Sequence, residues 1–289
     1  MLKLHIAALL IFVNLSMVVR AFAAPNEDGE EIPPEEAQAT EKIVTMIRKV
    51  VQDGFDKTGH AHRDAHRKMH GCVKAKFSVQ KGLSPELAQG IFAKPAEYQA
   101  WIRYSNGSGK SQDDQVGDGR GMALKIFGVG PTHFLEGEGE GHEQDFLMIN
   151  HPVFFVRNAA DYVGFQEATT SGPIRTLWWL LTHIFHEGRI ANKIRGHLVK
   201  NPLNAKYFSM VPSKLGPKQM KFAAHPCEGS VFREVSSSEE RLRENMTGHL
   251  EKNNSCFDFK IQVRKNPATM PIEDPTIEWS ETDSPYVTV

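Results

Sequence analysis

Four short segments of this chain carry side chains that could move protons, hold anions or bind a metal. They are Arg63-Asp64-Ala65-His66, Ile102-Arg103-Tyr104-Ser105, Asp118-Gly119-Arg120-Gly121-Met122-Ala123-Leu124-Lys125 and Asn150-His151-Pro152-Val153-Phe154-Phe155-Val156-Arg157. An imidazole such as that of His66 titrates near neutrality, so it can take a proton and return it. A carboxamide such as that of Asn150 can stabilise charge that develops as a neighbouring bond breaks. Each segment also has a plainer reading. Arg103 and Ser105 alternate with Ile102 and Tyr104 and could be the wet face of an edge strand. Asn150 could be a turn residue ahead of Pro152, and Phe154 and Phe155 serve equally well as core packing. His62, His66 and His70 are four residues apart, so on a helix they would share one face and make a divalent metal site. No carboxylate or cysteine pattern completes that set except Asp64, which would point to another face.

In their joint order the four segments resemble the distal heme pocket of the catalase superfamily. That pattern runs arginine-x-x-histidine, arginine-aromatic-serine, arginine-glycine-aromatic-alanine, then asparagine-x-proline-valine-phenylalanine-phenylalanine. The Arg-Asp-Ala-His run followed by His70-Gly71-Cys72-Val73 is similar to the short catalase-like proteins of bacteria. The resemblance covers residues 55 to 289, close to the whole mature chain. It implies an α+β fold, an antiparallel eight-stranded β-barrel with inserted and flanking helices. It implies heme as cofactor, and hydrogen peroxide or an organic hydroperoxide as small-molecule substrate.

By the same resemblance His66 is the acid-base group, Asn150 the polar stabiliser and Ser105 the hydroxyl that fixes the tautomer of the imidazole. Arg63 and Arg103 match the arginines that hold the heme propionates, a task for which a forked guanidinium suits better than an ammonium. Arg120 matches a structural arginine, and Phe154 and Phe155 would border the cofactor. No further metal site is implied. A fatty-acid hydroperoxide-converting enzyme on this fold is one alternative. Another is an inactive remnant that binds a small apolar ligand or a partner protein.

Three departures stand out. Arg67-Lys68-Met69-His70-Gly71 puts larger groups where the family has lysine-glycine one residue after the histidine, and Asn158 replaces an aspartate after Arg157. The family binds iron through a tyrosine with an arginine four residues earlier; none of Tyr98, Tyr104, Tyr162, Tyr207 or Tyr286 has that arginine. The proximal ligand is therefore unknown, and the heme domain is expected to be truncated at its C-terminal end.

The elements that must position these groups follow from periodicity. Apolar Ile43, Val44, Ile47, Val50 and Val51 recur at helical spacing, predicting an amphipathic helix from Glu35 to near Gly54. Val73, Ala75, Phe77 and Val79 alternate with Lys74, Lys76 and Ser78, the signature of a strand with one wet face. Further strands are expected at 101–106, 122–129, 146–150, 208–211, 220–224 and 257–263. Helices are expected over 159–167 and 174–199, the latter broken at Gly188. Residues 174–181 are apolar nearly all round, which predicts a buried helix too short to span a bilayer. Short strands interrupted by helices without regular alternation argue for an antiparallel sheet.

Composition sets the wider bounds. The chain has 289 residues with 34 basic and 35 acidic side chains, so no global field calls for nucleic acid or an anionic membrane. Lys3, the apolar run from Ile6 to Val19 and the small residues around Ala21-Phe22-Ala23 read as a cleavable export signal. The expected organisation is a signal at 1–23, a disordered acidic linker at 24–34 and the heme domain at 35–289. The expected location is periplasmic or secreted, without a membrane partner once the signal is removed, and the oligomeric state is open. Cys72, Cys227 and Cys256 are odd in number and lack compact spacing, so neither a zinc motif nor a disulfide framework is predicted. Cys72 is expected to be a small buried side chain.

Overall fold

The computed structural model describes residues 29–130, 142–183, 185–230, 232 and 234–289. The expected leader and residues 24–28 of the acidic linker lie outside them. Of the linker residues described, Glu31 donates its N–H to Glu273 Oε1 at 3.2 Å.

Helix α1 (Glu36–Thr58) precedes four strands, β1 (Met69–Ser78), β2 (Glu97–Asn106), β3 (Arg120–Phe127) and β4 (Glu143–Ile149). Helices α2 (Ala159–Thr170), α3 (Pro173–His183) and α4 (Glu187–Gly196) then lead to β5 (Tyr207–Phe208), β6 (Ser213–Leu215) and β7 (Lys218–Pro226). Helix α5 (Arg241–Leu250), β8 (Phe257–Val263) and β9 (Val287–Thr288) follow. Every ladder is antiparallel, and the sheet runs β1-β2-β3-β4-β5-β7-β8-β9 with β6 hairpinned onto β7. Eight strands on that path form a curled half-barrel. Its far sides meet through side chains, with the rings of Phe77 on β1 and Phe259 on β8 5.4 Å apart.

Period-two alternation divides the work between the two faces of β1 to β4. Val73, Ala75 and Phe77, then Ala100, Ile102 and Tyr104, then Met122, Leu124 and Ile126, then Phe146 and Met148 point into the curl and pack in one core with Phe222, Phe259 and Ile261. The opposite phase places Cys72, Arg103, Ala123 and Leu147 in one cross-strand row, and Ser105, Gly121 and Ile149 in the next. Cys72 is thereby exposed rather than buried, because it falls in phase with Lys74 and Lys76.

Other expectations are corrected in the same way. Helix α1 continues through Gly54 to Thr58, where Gly59 caps it in the left-handed region and donates to Phe55 O. A single glycine with open space around it costs a helix only about 1 kcal/mol. The expected helix over 174–199 is two helices. The first of them is not buried, for Ile174, Leu177, Trp178 and Leu181 of α3 are exposed. Cys227 and Cys256 form a disulfide that staples the end of β7 to the start of β8, with Cα atoms 5.4 Å apart. Helix α5 and strands β6 and β9 carried no clear periodic signal.

Phe259 is buried amid the rings of Phe77, Phe92, Phe146 and Phe222. Phe259→Ala should lower unfolding stability by about 4 kcal/mol in urea titrations. Leu147→Ala, on the exposed face, should stay within about 0.5 kcal/mol.

Candidate functional site

The segment between α1 and β1 carries His66 onto the outer face of the sheet. Backbone bonds fix it there: His66 N–H donates to Gly107 O at 3.0 Å and Arg67 N–H to Ser108 O at 3.2 Å. His66 has φ of 55°, a left-handed conformation that a non-glycine residue rarely adopts and that needs surrounding contacts to hold it. Close packing supplies them. A methyl on Gly109 would stand 1.9 Å from Asp64 O, and one on Gly121 would stand 2.6 Å from His66 Nδ1 and 2.8 Å from Ser105 Oγ. The imidazole thus lies against bare backbone on β3, with its Nδ1 in a hydrogen bond to Ser105 Oγ at 3.1 Å.

Arg103 sits beside it and donates from Nη2 to His66 O at 2.7 Å. Arg63 is close enough that the two guanidiniums act on each other electrostatically, and among the described residues neither forms an ion pair. Burial, then the positive charge of Arg103, holds His66 below its ordinary pKa, with Asp118 opposing and Arg63 adding to the fall. The ring is therefore held neutral at pH 7, as a proton acceptor must be.

Asn150 follows β4 and continues its pairing with β3. Its N–H donates to Arg120 O at 2.9 Å, and its Oδ1 accepts Arg120 N–H at 2.7 Å. It stands one residue along from the Gly121 that bears the His66 ring. With Oδ1 occupied, its amide nitrogen remains the donor. Phe154 and Phe155 lie farther along and make their ring contacts with each other and with α2, Phe155 to Phe165 at 4.8 Å and Phe154 to Tyr162 at 6.3 Å. Gln166 of α2 joins this cluster to the His66 segment, donating to Asp64 Oδ2 at 3.1 Å.

His62, His66 and His70 do not share a helical face, because residues 59–68 are irregular and His70 is on β1. His70 Nε2 is bonded to Asn106 Oδ1 at 2.8 Å within a buried polar network. That network holds Lys68, whose ammonium lies 2.9 Å from both Asp114 and Glu240. Arg120, fully buried, donates to Asn106 Oδ1, to Asp114 O and to Val116 O. Burial works against the Asp114 charge, yet Lys68 and the Leu242 N–H keep its carboxyl below the usual range. Neither Lys68 nor Asp114 stands out in the sequence, because a buried ion pair leaves no period. Of the larger groups after His66, Lys68 and His70 therefore point into this network, while Met69 is exposed. Asn158 caps α2 by accepting Asp161 N–H, while Arg157 pairs with Asp161 at 2.8 Å.

Burial raises the phenol pKa of Tyr104, Tyr207 and Tyr286. None of the three is poised to be a phenolate.

No protein-family profile matches the chain, and no curated protein sequence matches it either. Solved structures do. A fungal catalase superposes with a TM-score of 0.58 at 15% identity, over 82% of this chain and 50% of its own. Catalase A from Saccharomyces cerevisiae superposes with a TM-score of 0.59 at 17% identity, over 82% of this chain and 52% of its own. The chain has a catalase-like fold and spans about half the length of these structures.

Burial pushes His70 down to about 4 and, aided by Lys206 and Lys260, His225 to about 4. From an unfolded value near 6.5, the unfolded chain therefore binds protons that the folded one refuses. Stability should fall as pH drops from about 6.5 towards 4, by up to about 1.4 kcal/mol per pH unit for each such histidine. His70→Gln, which keeps a donor for Asn106, should flatten that slope by about one proton in urea titrations across the interval. An unchanged slope would show that His70 titrates normally.

Proposed function

We propose that the outer-face site is a catalase-like heme peroxidase centre acting on hydrogen peroxide or an organic hydroperoxide. One observation carries the reading: His66 is hydrogen-bonded through Nδ1 to Ser105 and lies on the bare backbone of Gly121, beside two guanidiniums without an acidic partner among the described residues. Two adjacent cations of that kind fit a group with two carboxylates. The face around them also fits a flat apolar ligand, since Met69, Trp101 and Leu147 point outward there and are exposed.

Bound heme would supply an iron centre able to donate the electrons that cleavage of an oxygen-oxygen bond consumes. The residues of this chain would do the rest. Arg63 and Arg103 would hold the propionates. Ser105 would keep the His66 Nδ1 side engaged and so leave Nε2 as the working nitrogen. Neutral His66 would take a proton from one peroxide oxygen at Nε2 and return it to the other as water leaves. The amide nitrogen of Asn150 would donate to the oxygen on which charge develops. Phe154 and Phe155 would close one side of the pocket.

The chain is further proposed to work outside the cytoplasm, periplasmic or secreted. The leader pattern and the Cys227–Cys256 disulfide support this.

Purified protein mixed with hemin is expected to develop a Soret band and to consume peroxide. His66→Ala should cut consumption by about a hundredfold or more while the band remains. Arg63→Ala with Arg103→Ala should weaken hemin uptake by about tenfold or more. A colourless and inert mixture would support the inactive remnant instead.

A further inference from the structure

Helix α3 displays a stripe that a soluble surface seldom tolerates. Ile174, Leu177, Trp178 and Leu181 recur at helical spacing and are 83%, 58%, 69% and 55% exposed, and Phe185 beyond the helix is 85% exposed. The helix is anchored by its other side. Trp179 packs on Phe165 of α2 at 5.3 Å and on His183 at 4.3 Å, and Thr176 donates to Ala168 O at 3.0 Å. A contiguous apolar stripe of this size marks an interaction surface.

The charges carried by α3 and α4 select the partner. Residues 173–200 contain five basic side chains, Arg175, Arg189, Lys193, Arg195 and Lys200, against a single acid, Glu187. Glu187 is buried and faces Arg157 at 3.9 Å, while Lys200 pairs with Glu234 at 3.1 Å. Arg175, Arg189, Lys193 and Arg195 are exposed, and none forms an ion pair among the described residues. The near-zero charge of the whole chain hides this local excess. A second copy seated on the stripe through two-fold symmetry would bring these cations towards their own counterparts. An anionic surface with an apolar interior complements both features.

We propose that α3 and α4 dock the protein on an anionic lipid bilayer, with the α3 stripe among the upper acyl chains and the four basic residues at the headgroup phosphates. The attachment lies on the membrane and does not span it. Helix α3 has 11 residues, about 16 Å against the roughly 30 Å of a hydrocarbon core. No helix among the described residues is long and apolar enough to cross. Exposed Trp178 suits the interface, where an indole can sit half in lipid. The inference stands on this surface alone and is independent of heme.

The test uses the full chain, without hemin, and flotation with vesicles of equal parts phosphatidylcholine and phosphatidylglycerol, or of phosphatidylcholine alone. Binding to the mixed vesicles is expected to exceed binding to the neutral ones by about tenfold or more, to weaken with salt, and to blue-shift tryptophan emission. Leu177→Asp with Leu181→Asp should lose binding by about a hundredfold. Arg189→Glu with Lys193→Glu should reduce it by about tenfold or more. All four positions are exposed, so circular dichroism melts should match the parent. The proposal is overturned if the mixed vesicles retain no protein, or if both double variants bind like the parent. It is overturned equally if sedimentation shows a dimer that Leu177→Asp with Leu181→Asp dissolves, since the stripe would then belong to a second copy.

Discussion

The structure around His66 depends on one buried ionic network, in which Lys68, Asp114 and Arg120 are held at the junction of β1, β2, β3 and α5. Charges taken out of water are costly unless paired and hydrogen-bonded. Here Asp114 receives the Lys68 ammonium, the Asn106 amide at 3.2 Å and the Leu242 N–H at 3.1 Å. Lys68 also donates to the carbonyls of Gln112 and Glu239 at 2.8 Å each. These partners come from the β1 entry, the end of β2, the 107–118 loop and α5, so the network forms only when all four are in place. The loop it fastens is the one whose Gly107 and Ser108 carbonyls receive His66 and Arg67 N–H. The position of the imidazole is thereby tied to an ion pair that never touches it. Among the described residues, Nε of Arg120 and of Arg241 and Nδ1 of His70 make no hydrogen bond, though Nδ1 lies 3.8 Å from Asp114, which marks where the network is least complete.

The second constraint is the pleat. One residue step along β2 separates Tyr104, buried in the core, from Arg103 and Ser105, which face the site. The register across β2, β3 and β4 then places Gly121 beside Ser105. A register slip of one residue would exchange the two faces and lose core and site together. Aromatic rings on the inner face make such a slip expensive, so core packing secures the register on which the outer face depends.

This explains what could be read in advance. The strands were legible because Val73, Ala75 and Phe77 alternate with lysines, and the same phase, followed consistently, places Cys72 outside. The grouping of His66, Ser105 and Arg103 was legible because their two segments stand first in an order of four that resembles a known family. The loop conformation of His66 was not, since nothing in Arg63-Asp64-Ala65-His66 forbids a helix; bonds from residues 107 and 108 decide against it. Helix α5 was hidden because charged residues fill Arg241-Leu242-Arg243-Glu244, and its buried Leu242 and Met246 make too short a stripe. Apolar content in α3 predicts burial, whereas tertiary packing reaches only the side of the helix that carries Thr176 and Trp179.

Electrostatics couples the two halves of the site. Arg103 and Arg63 both depress the pKa of His66, and Asp118 opposes them. Asp118 is itself raised by burial and accepts the Ser108 N–H at 3.0 Å. Arginines left without counter-ions therefore bias His66 towards the neutral form more strongly than burial alone. A ligand that places carboxylates on Arg63 and Arg103 would cancel that part of the bias and move the imidazole back towards its ordinary value. The proton affinity of His66 would thus follow the charge placed on the two arginines, so the protonation of His66 and the occupancy of Arg63 and Arg103 are electrostatically linked.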